Sequence, residues 1–309
     1  MSINWYPGHM HKAGKEIKQA LPKVDLAIEV LDARIPFSSE NPMLASLRGN
    51  KPVIKVFNKN DLADPKTTQL WQAHLEQQKN IKTLALSSHH PDKIRQIPDL
   101  CRKLLPEKQD SIKQIRAMIM GIPNVGKSTL INIMVGRSIA KTGNEPAVTK
   151  MQQRINLADD IVLFDTPGML WPKLTTPQVG YRLAITGAIK DTAIDHADVA
   201  FFAAQYLLSH YPENLQSRYQ LEQLPDTELE FLETIGKQRG CLGARGLVDL
   251  DKVAKILLAE FRAGTLGTIS LELPHLVKQE LAEQAIIDEK KAEKKAARSK
   301  NKKQSSTRS

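Results

Sequence analysis

Residues 115–128 read IRAMIMGIPNVGKS: a β-rich apolar run, Gly121, four residues, then Gly126-Lys127-Ser128. A helical pattern, STLINIMVG, follows at 128–136. A strand, a G-x-x-x-x-G-K-[ST] turn and a helix in that order form a phosphate-binding loop. The two glycines let the backbone curl so that its N–H groups face phosphate oxygens. Lys127 then reaches the β- and γ-phosphates, and Ser128 is placed to ligate Mg²⁺. Asn124, Val125, Gly126 and Thr129 complete the nucleotide-binding set of this loop. The alternative, a glycine-rich turn that binds nothing, leaves the flanking strand and helix without a reason.

Such a loop commits the chain around it to a mostly parallel sheet, and the rest of the N-terminal half agrees. Strand candidates fall at 24–31, 52–57, 81–86, 115–120, 152–157 and 161–164, with helical patterns near 67–78, 92–104 and 127–135. Alternation of this kind predicts an α/β sheet with helices on both faces. After residue 180 the texture changes. Leu250, Val253, Ala254, Leu257, Leu258 and Phe261 follow the i, i+3, i+4, i+7 spacing of an amphipathic helix, as do Val199, Phe202, Ala203, Tyr206 and Leu207. The one later strand signal is TISLEL at 268–273.

A phosphate loop does not choose a base. FNKND does: Asn58, Lys59 and Asp61 form N-K-x-D at the end of an apolar strand. A carboxylate there accepts from the ring N–H and the exocyclic amine of guanine together, a donor pair adenine lacks. A third element, Asp165-Thr166-Pro167-Gly168, ends the run DIVLF, 38 residues after Lys127. Asp165 suits an outer Mg²⁺ ligand, and the Gly168 N–H suits the γ-phosphate. Thr149, in EPAVTK between them, is positioned to close the Mg²⁺ shell in the manner of a switch threonine. Read alone it would be an ordinary loop residue.

The order of these elements is unusual. N-K-x-D and the next loop, ALSSH (85–89) with Ser87 and Ser88 as base-loop candidates, precede the phosphate loop instead of following D-x-x-G. The order is that of a circularly permuted P-loop GTPase domain, with LPEKQDSIK (105–113) joining the original termini.

With these motifs in place, the chain resembles the YlqF/RbgA-type circularly permuted GTPases, the ribosome biogenesis GTPase A family. The resemblance covers most of residues 4–275. It rests on WYPGHMHKA, DARIP (32–36), NKND, GIPNVGKST, DTPG and FLETIGKQRG with FRAGTLGTISLE. It departs at Ala147, where glycine is usual, at SSH in place of serine-alanine-lysine, and at CLGARG, elsewhere richer in glycine. The resemblance implies a slow GTPase stimulated by the large ribosomal subunit, acting in late assembly and binding rRNA. Met169 stands where Ras-like enzymes carry a water-positioning glutamine, and a thioether cannot orient water. The resemblance offers His9 as the catalytic group, the alternative being contact with rRNA or ordering of the N-terminal segment. Imidazole chemistry suits proton acceptance near neutral pH. In related GTPases an asparagine at the position of Asn124 helps hold K⁺; a plain turn residue is the other reading.

The expected organisation is a GTPase domain at 1–178, a small, mostly helical RNA- or ribosome-binding domain at 179–278, and a basic tail at 279–309. The chain's net charge is +10. Residues 290–309 hold nine Lys/Arg against Glu293, a net of +8, which leaves +2 for residues 1–289. Such a tail has few apolar residues to pack, so disorder or a frayed helix is expected, serving solubility or binding nucleic acid. The 41% apolar content suffices for a core. Cys101 and Cys241 fit no metal or disulfide spacing, and no stretch approaches a membrane span. A cytoplasmic monomer that binds neither membrane nor DNA is expected. Asp191, Asp195, His196 and Asp198 read as helix capping and dipole matching rather than a metal centre. Two other classes stay open: a P-loop kinase, disfavoured by N-K-x-D, and a signalling or scaffold GTPase whose helical domain binds a protein.

Overall fold

The computed structural model describes residues 6–108, 114–140 and 153–306. Among these, six strands form one sheet: β1 (Leu26–Asp32), β2 (Val53–Asn58), β3 (Ile81–Ala85), β4 (Ile115–Gly121), β5 (Gln153–Ala158) and β6 (Ile161–Asp165). Their spatial order is β3-β2-β1-β4-β6-β5, parallel except for β5, which runs antiparallel along the β6 edge. β1 and β2 are buried along their whole length, and β4 is buried at all but one residue. This is why their sequences read as continuous apolar runs, the signature of strands covered on both faces. Edge strand β5 mixes exposed and buried residues.

The registers place the functional motifs along one rim. Asp32 lies opposite Asn58, Val30 opposite Gly121, and Ile119 opposite Asp165. The carboxyl ends of β1, β2, β4 and β6 therefore share one edge of the sheet, where open α/β folds bind ligands.

The helices, in chain order, are α1 (Gly8–Ala20), α2 (Pro36–Ser39), α3 (Pro42–Arg48), α4 (Pro65–Glu76), α5 (Pro91–Ile94), α6 (Ile97–Leu104) and α7 (Lys127–Val135) around the sheet. Then follow α8 (Pro177–Ile185), α9 (His196–His210), α10 (Pro212–Tyr219), α11 (Glu228–Gln238), α12 (Leu250–Ala263) and α13 (Pro274–Ser306). The helix expected at 92–104 is two short ones, α5 and α6. Pro98 supplies the reason: it has no N–H to continue a helix from upstream but fits the first turn of a new one.

Local rules set the other boundaries. The side chains of Asp64, Thr176, Asp195, Thr227 and Asp249 each accept from a backbone N–H in the first turn of the helix they begin. Asp195 thus caps α9, as the sequence suggested, and among the described residues no cluster suits a metal ion. Asp191 pairs with Arg262 at 3.0 Å. The same guanidinium donates to the Ile185 and Ala184 carbonyls at 2.9 and 2.8 Å, so α12 caps the end of α8.

α9 is the hub of the helical region, touching α8, α10, α11 and α12. Its Val199, Ala203 and Leu207 face the buried Val253, Ala254, Leu257, Leu258 and Phe261 side of α12 in one apolar core, which is continuous with that of the sheet. The strand-like TISLEL segment is not a strand. It is a strap: Ile269 N–H donates to Leu62 O at 3.0 Å and Leu271 N–H to Arg34 O at 2.8 Å, so its partners are loops after β2 and β1. α13 then packs on α4 through Val277, Leu281, Trp71 and Leu75. Its backbone is helical through the boundary placed at 278 and on into the basic segment. Among the described residues no helix is long and apolar enough to cross a membrane.

Candidate functional site

β4 delivers the phosphate loop. A Cβ at Gly121 would lie 2.5 Å from the Val30 carbonyl oxygen, so only glycine lets β4 approach β1 this closely. Asn124 (φ +56) and Gly126 (φ +96) then turn the backbone through the left-handed region into α7. A Cβ at Gly126 would collide with the Asn58 side chain at 2.3 Å. Lys127 opens α7, so the loop and the positive end of that helix face the same space.

Lys127 is nearly buried, and burial pushes its ammonium pKa down while the charge of Asp165 opposes that shift. Asp165 is fully buried; burial pushes its carboxyl up, and Lys127 opposes this in turn. Neither carboxylate oxygen of Asp165 has a hydrogen-bond partner among the described residues. Two bare, buried carboxylate oxygens are costly unless something polar approaches them. Beside a phosphate loop, the water shell of a Mg²⁺ ion supplies such donors, so the residues present fit the ion. Ser128, the expected direct ligand, follows Lys127 on α7, half-buried, with Thr129 beside it.

The D-T-P-G turn lies on the phosphate loop. Thr166 Oγ1 donates to Ile119 O at 2.9 Å, and Met169 N–H donates to Gly121 O at 3.3 Å. A Cβ at Gly168 would stand 3.0 Å from Pro123 Cα, backbone against backbone. Met169 is buried, which explains a thioether there: it packs in the core. Leu170 N–H in turn meets Met10 Sδ at 3.5 Å, and Tyr6 donates to Met10 O at 3.2 Å. The first turn of α1, which contains His9, thus abuts the segment after D-T-P-G. The His9 side chain and Thr149 lie outside the described residues.

At the base end, Asn58 Nδ2 donates to the Val125 carbonyl at 2.7 Å, tying N-K-x-D to the phosphate loop. Asn58 Oδ1 is buried and has no partner among the described residues. Asn60 N–H donates to Leu86 O at 3.2 Å, which brings the ALSSH loop alongside. Within that loop Ser87 is buried and its hydroxyl accepts from the His89 N–H at 3.2 Å, while Ser88 is exposed. Asp61 is solvent-accessible, with its Oδ2 3.6 Å from His89 Nε2. Lys59 sits at φ +58, and its Nζ lies 3.2 Å from Asp32 Oδ2. Burial alone would push the Asp32 carboxyl up, but the charges of Arg34 and Lys59 hold it well below the usual carboxylate range.

The fold therefore gathers Asn58, Lys59, Asp61 and Ser87 along one part of the sheet's carboxyl rim, and Gly126, Lys127, Asp165 and Gly168 beside them. Asn124 sits beside them with its Nδ2 donating to Gly187 O at 2.8 Å, a carbonyl just after α8. Sequence reasoning assigned no role to Asp32, Arg34, His89 or Glu272. Asp32 and Arg34 lie within the quoted DARIP motif, so a signal was present; His89 and Glu272 carry none that one sequence reveals. Glu272 is fully buried. It accepts from the Phe37 and Ser38 N–H groups at 2.7 and 3.0 Å and from the Ser38 hydroxyl, with Arg182 at 3.7 Å. Arg182 also pairs with Glu280 of α13 at 2.5 Å.

Residues 116–237 match the family model described as 50S ribosome-binding GTPase. The ribosome biogenesis GTPase A of Priestia megaterium (strain DSM 319 / IMG 1521) is 45% identical over 289 residues, spanning 91% of this chain and 100% of that protein. The crystal structure of GNP-bound YlqF from T. maritima is similar with a TM-score of 0.59 at 26% identity, over 85% of this chain and 98% of that one. The GDP-bound structure of TM YlqF gives 0.60 at 26% identity, over 84% and 99%.

Proposed function

Because the chain belongs to the ribosome biogenesis GTPase A family, and so is a GTP-hydrolysing protein of ribosome assembly, we propose that it is a GTP-dependent switch. Its target is the large ribosomal subunit, bound through rRNA late in assembly. The observation that carries this reading is the D-T-P-G turn seated on the phosphate loop. Its next residues pack on α1, and the chain then runs through a proline-bearing segment into α8 of the helical region.

A γ-phosphate at Gly168 would fix this turn, and hydrolysis would release it. The helical region, one short connection away, responds to that ordering. Lys127 would neutralise phosphate charge, and Ser128, Thr149 and Asp165 are the residues that would hold Mg²⁺. When bound, that ion supplies charge stabilisation to the transferring phosphoryl group. Asn58, Lys59, Asp61, Ser87 and Ser88 read guanine. Asn124, whose amide donates to Gly187 O, would help hold K⁺, which when bound would add positive charge beside the phosphates.

His9 acts on the water, entering when the ribosomal particle docks on α1. Its placement one residue before Met10, which meets Leu170, supports this role. The +8 segment at 290–309 adds sequence-independent attraction to RNA phosphates. The protein works as a cytoplasmic monomer whose GTPase domain (1–178) is read out by the helical domain (179–278).

The test is GTP turnover with and without purified large subunits, over a salt series. Turnover should rise with subunits, fall back steeply as salt rises, and lose its stimulated part in His9→Ala with GTP affinity unchanged. Equal stimulation of His9→Ala would remove the catalytic role of His9. Absence of stimulation at any salt would contradict the ribosomal reading.

A further inference from the structure

Lys59 is a base-end residue whose ammonium is held by a described ion pair. It occupies the left-handed region, which lysine seldom visits, and its flexible stem ends in a point charge. Its described partner is Asp32, at 3.2 Å. Asp32 is in turn clamped: Arg34 Nε and Nη2 donate to its two oxygens at 2.9 and 2.8 Å, and the Arg34 N–H donates to Oδ1 at 3.1 Å. Arg34 is 1% exposed, so it cannot turn outward to water. Its other contacts come from the C-terminal half. The guanidinium carbon lies 5.1 Å from the Phe261 ring centroid on α12, and the Arg34 carbonyl accepts from Leu271 N–H of the strap at 2.8 Å.

We propose that Arg34 is a positioning residue for guanine-nucleotide binding: its fork fixes Asp32, Asp32 fixes Lys59, and Phe261 and Leu271 lock Arg34 to the helical region. The inference rests on reading Lys59 as part of the GTP site. A planar guanidinium aligns both carboxylate oxygens at once, which leaves Oδ2 aimed at the lysine; an ammonium keeps the charge but not the plane. The aromatic face over the guanidinium holds it on the far side. Unlike the D-T-P-G turn, this linkage senses no γ-phosphate. Loosening the helical region would therefore weaken GDP and GTP binding alike.

The test is a double-mutant cycle on the full chain, read by fluorescent-GDP affinity, with melting curves to confirm folding. Arg34→Lys and Lys59→Ala should each lower affinity about tenfold, and the double variant should be no weaker than Lys59→Ala alone. Additive losses, or wild-type affinity in Arg34→Lys beside a loss in Lys59→Ala, would overturn the proposal. Wild-type affinity in Lys59→Ala would instead strike down the reading of Lys59, and the proposal with it. Phe261→Leu keeps an apolar side chain without the ring face. It should cost about threefold in the wild-type background and nothing in Arg34→Lys. An equal loss in both backgrounds would sever the link to the helical region. If Arg34→Lys does not fold, Asp32→Asn takes its place in both cycles, with the same outcomes.

Discussion

The amide of Asn58 donates to the carbonyl of Val125 at 2.7 Å, joining two motifs 67 residues apart. Asn58 ends β2 and Val125 lies in the loop after β4, with β1 between the two strands. One hydrogen bond thus braces the phosphate loop against the element that selects the base. It also explains Gly126, where any side chain would strike that amide.

Removing the brace should loosen the loop without touching the γ-phosphate. Asn58→Ala is expected to weaken GDP and GTP by about tenfold each, leaving their ratio unchanged. Stopped-flow measurements with fluorescent GDP and a non-hydrolysable GTP analogue check this. A loss confined to the analogue would contradict it.

Asp165 presents two buried oxygens for which no hydrogen-bond partner lies among the described residues, next to Lys127. If Mg²⁺ water satisfies them, chelation with EDTA should speed nucleotide release from the wild type. Asp165→Asn should release nucleotide fast already and respond little to EDTA, because the amide keeps the shape but loses the charge. An undiminished EDTA effect in the variant would remove Asp165 from the ion's shell.

Glu272 gives a pH prediction. Burial pushes its carboxyl from the usual 4.5 up to about 6, with Arg182 and the Ser38 and Phe37 bonds opposing the shift. Between those values the folded protein binds the proton more tightly than the unfolded chain does. The sign therefore makes stability fall as pH rises from 4.5 to 6, by on the order of 2 kcal/mol. Glu272→Gln lacks this slope. Glu29, pushed up to about 7 by burial, titrates in both proteins and cancels in the difference. Urea denaturation at pH 4.5, 5.5 and 7 measures it, and parallel curves for the two proteins would contradict the assignment.

Much of this architecture was legible from periodicity and motif order. Six strand candidates match the six strands of the sheet to within a residue or two; the central parallel strands β1, β2 and β4 bury both faces and so advertise themselves. The permuted order was visible because N-K-x-D, the phosphate loop and D-x-x-G are each fixed by local backbone chemistry. What stayed hidden depends on long-range contact. TISLEL carries the alternation of a strand, but its backbone partners are two loops, and nothing in its own residues says so. The buried carboxylate of Glu272 and the packing of Arg34 against Phe261 are products of tertiary contacts over more than 200 residues of chain, and one sequence shows such residues only as charges. The split between α5 and α6 was readable in Pro98, whose missing N–H outweighs the helical spacing around it.

In the proposed switch, GTP controls binding to the large ribosomal subunit. Co-sedimentation of the full chain with purified large subunits, in a non-hydrolysable GTP analogue, in GDP and without nucleotide, tests it most directly. Pelleting with the analogue and release with GDP are expected. Equal pelleting in all three states would contradict the switch, and no pelleting at moderate salt would move the partner from rRNA to a protein.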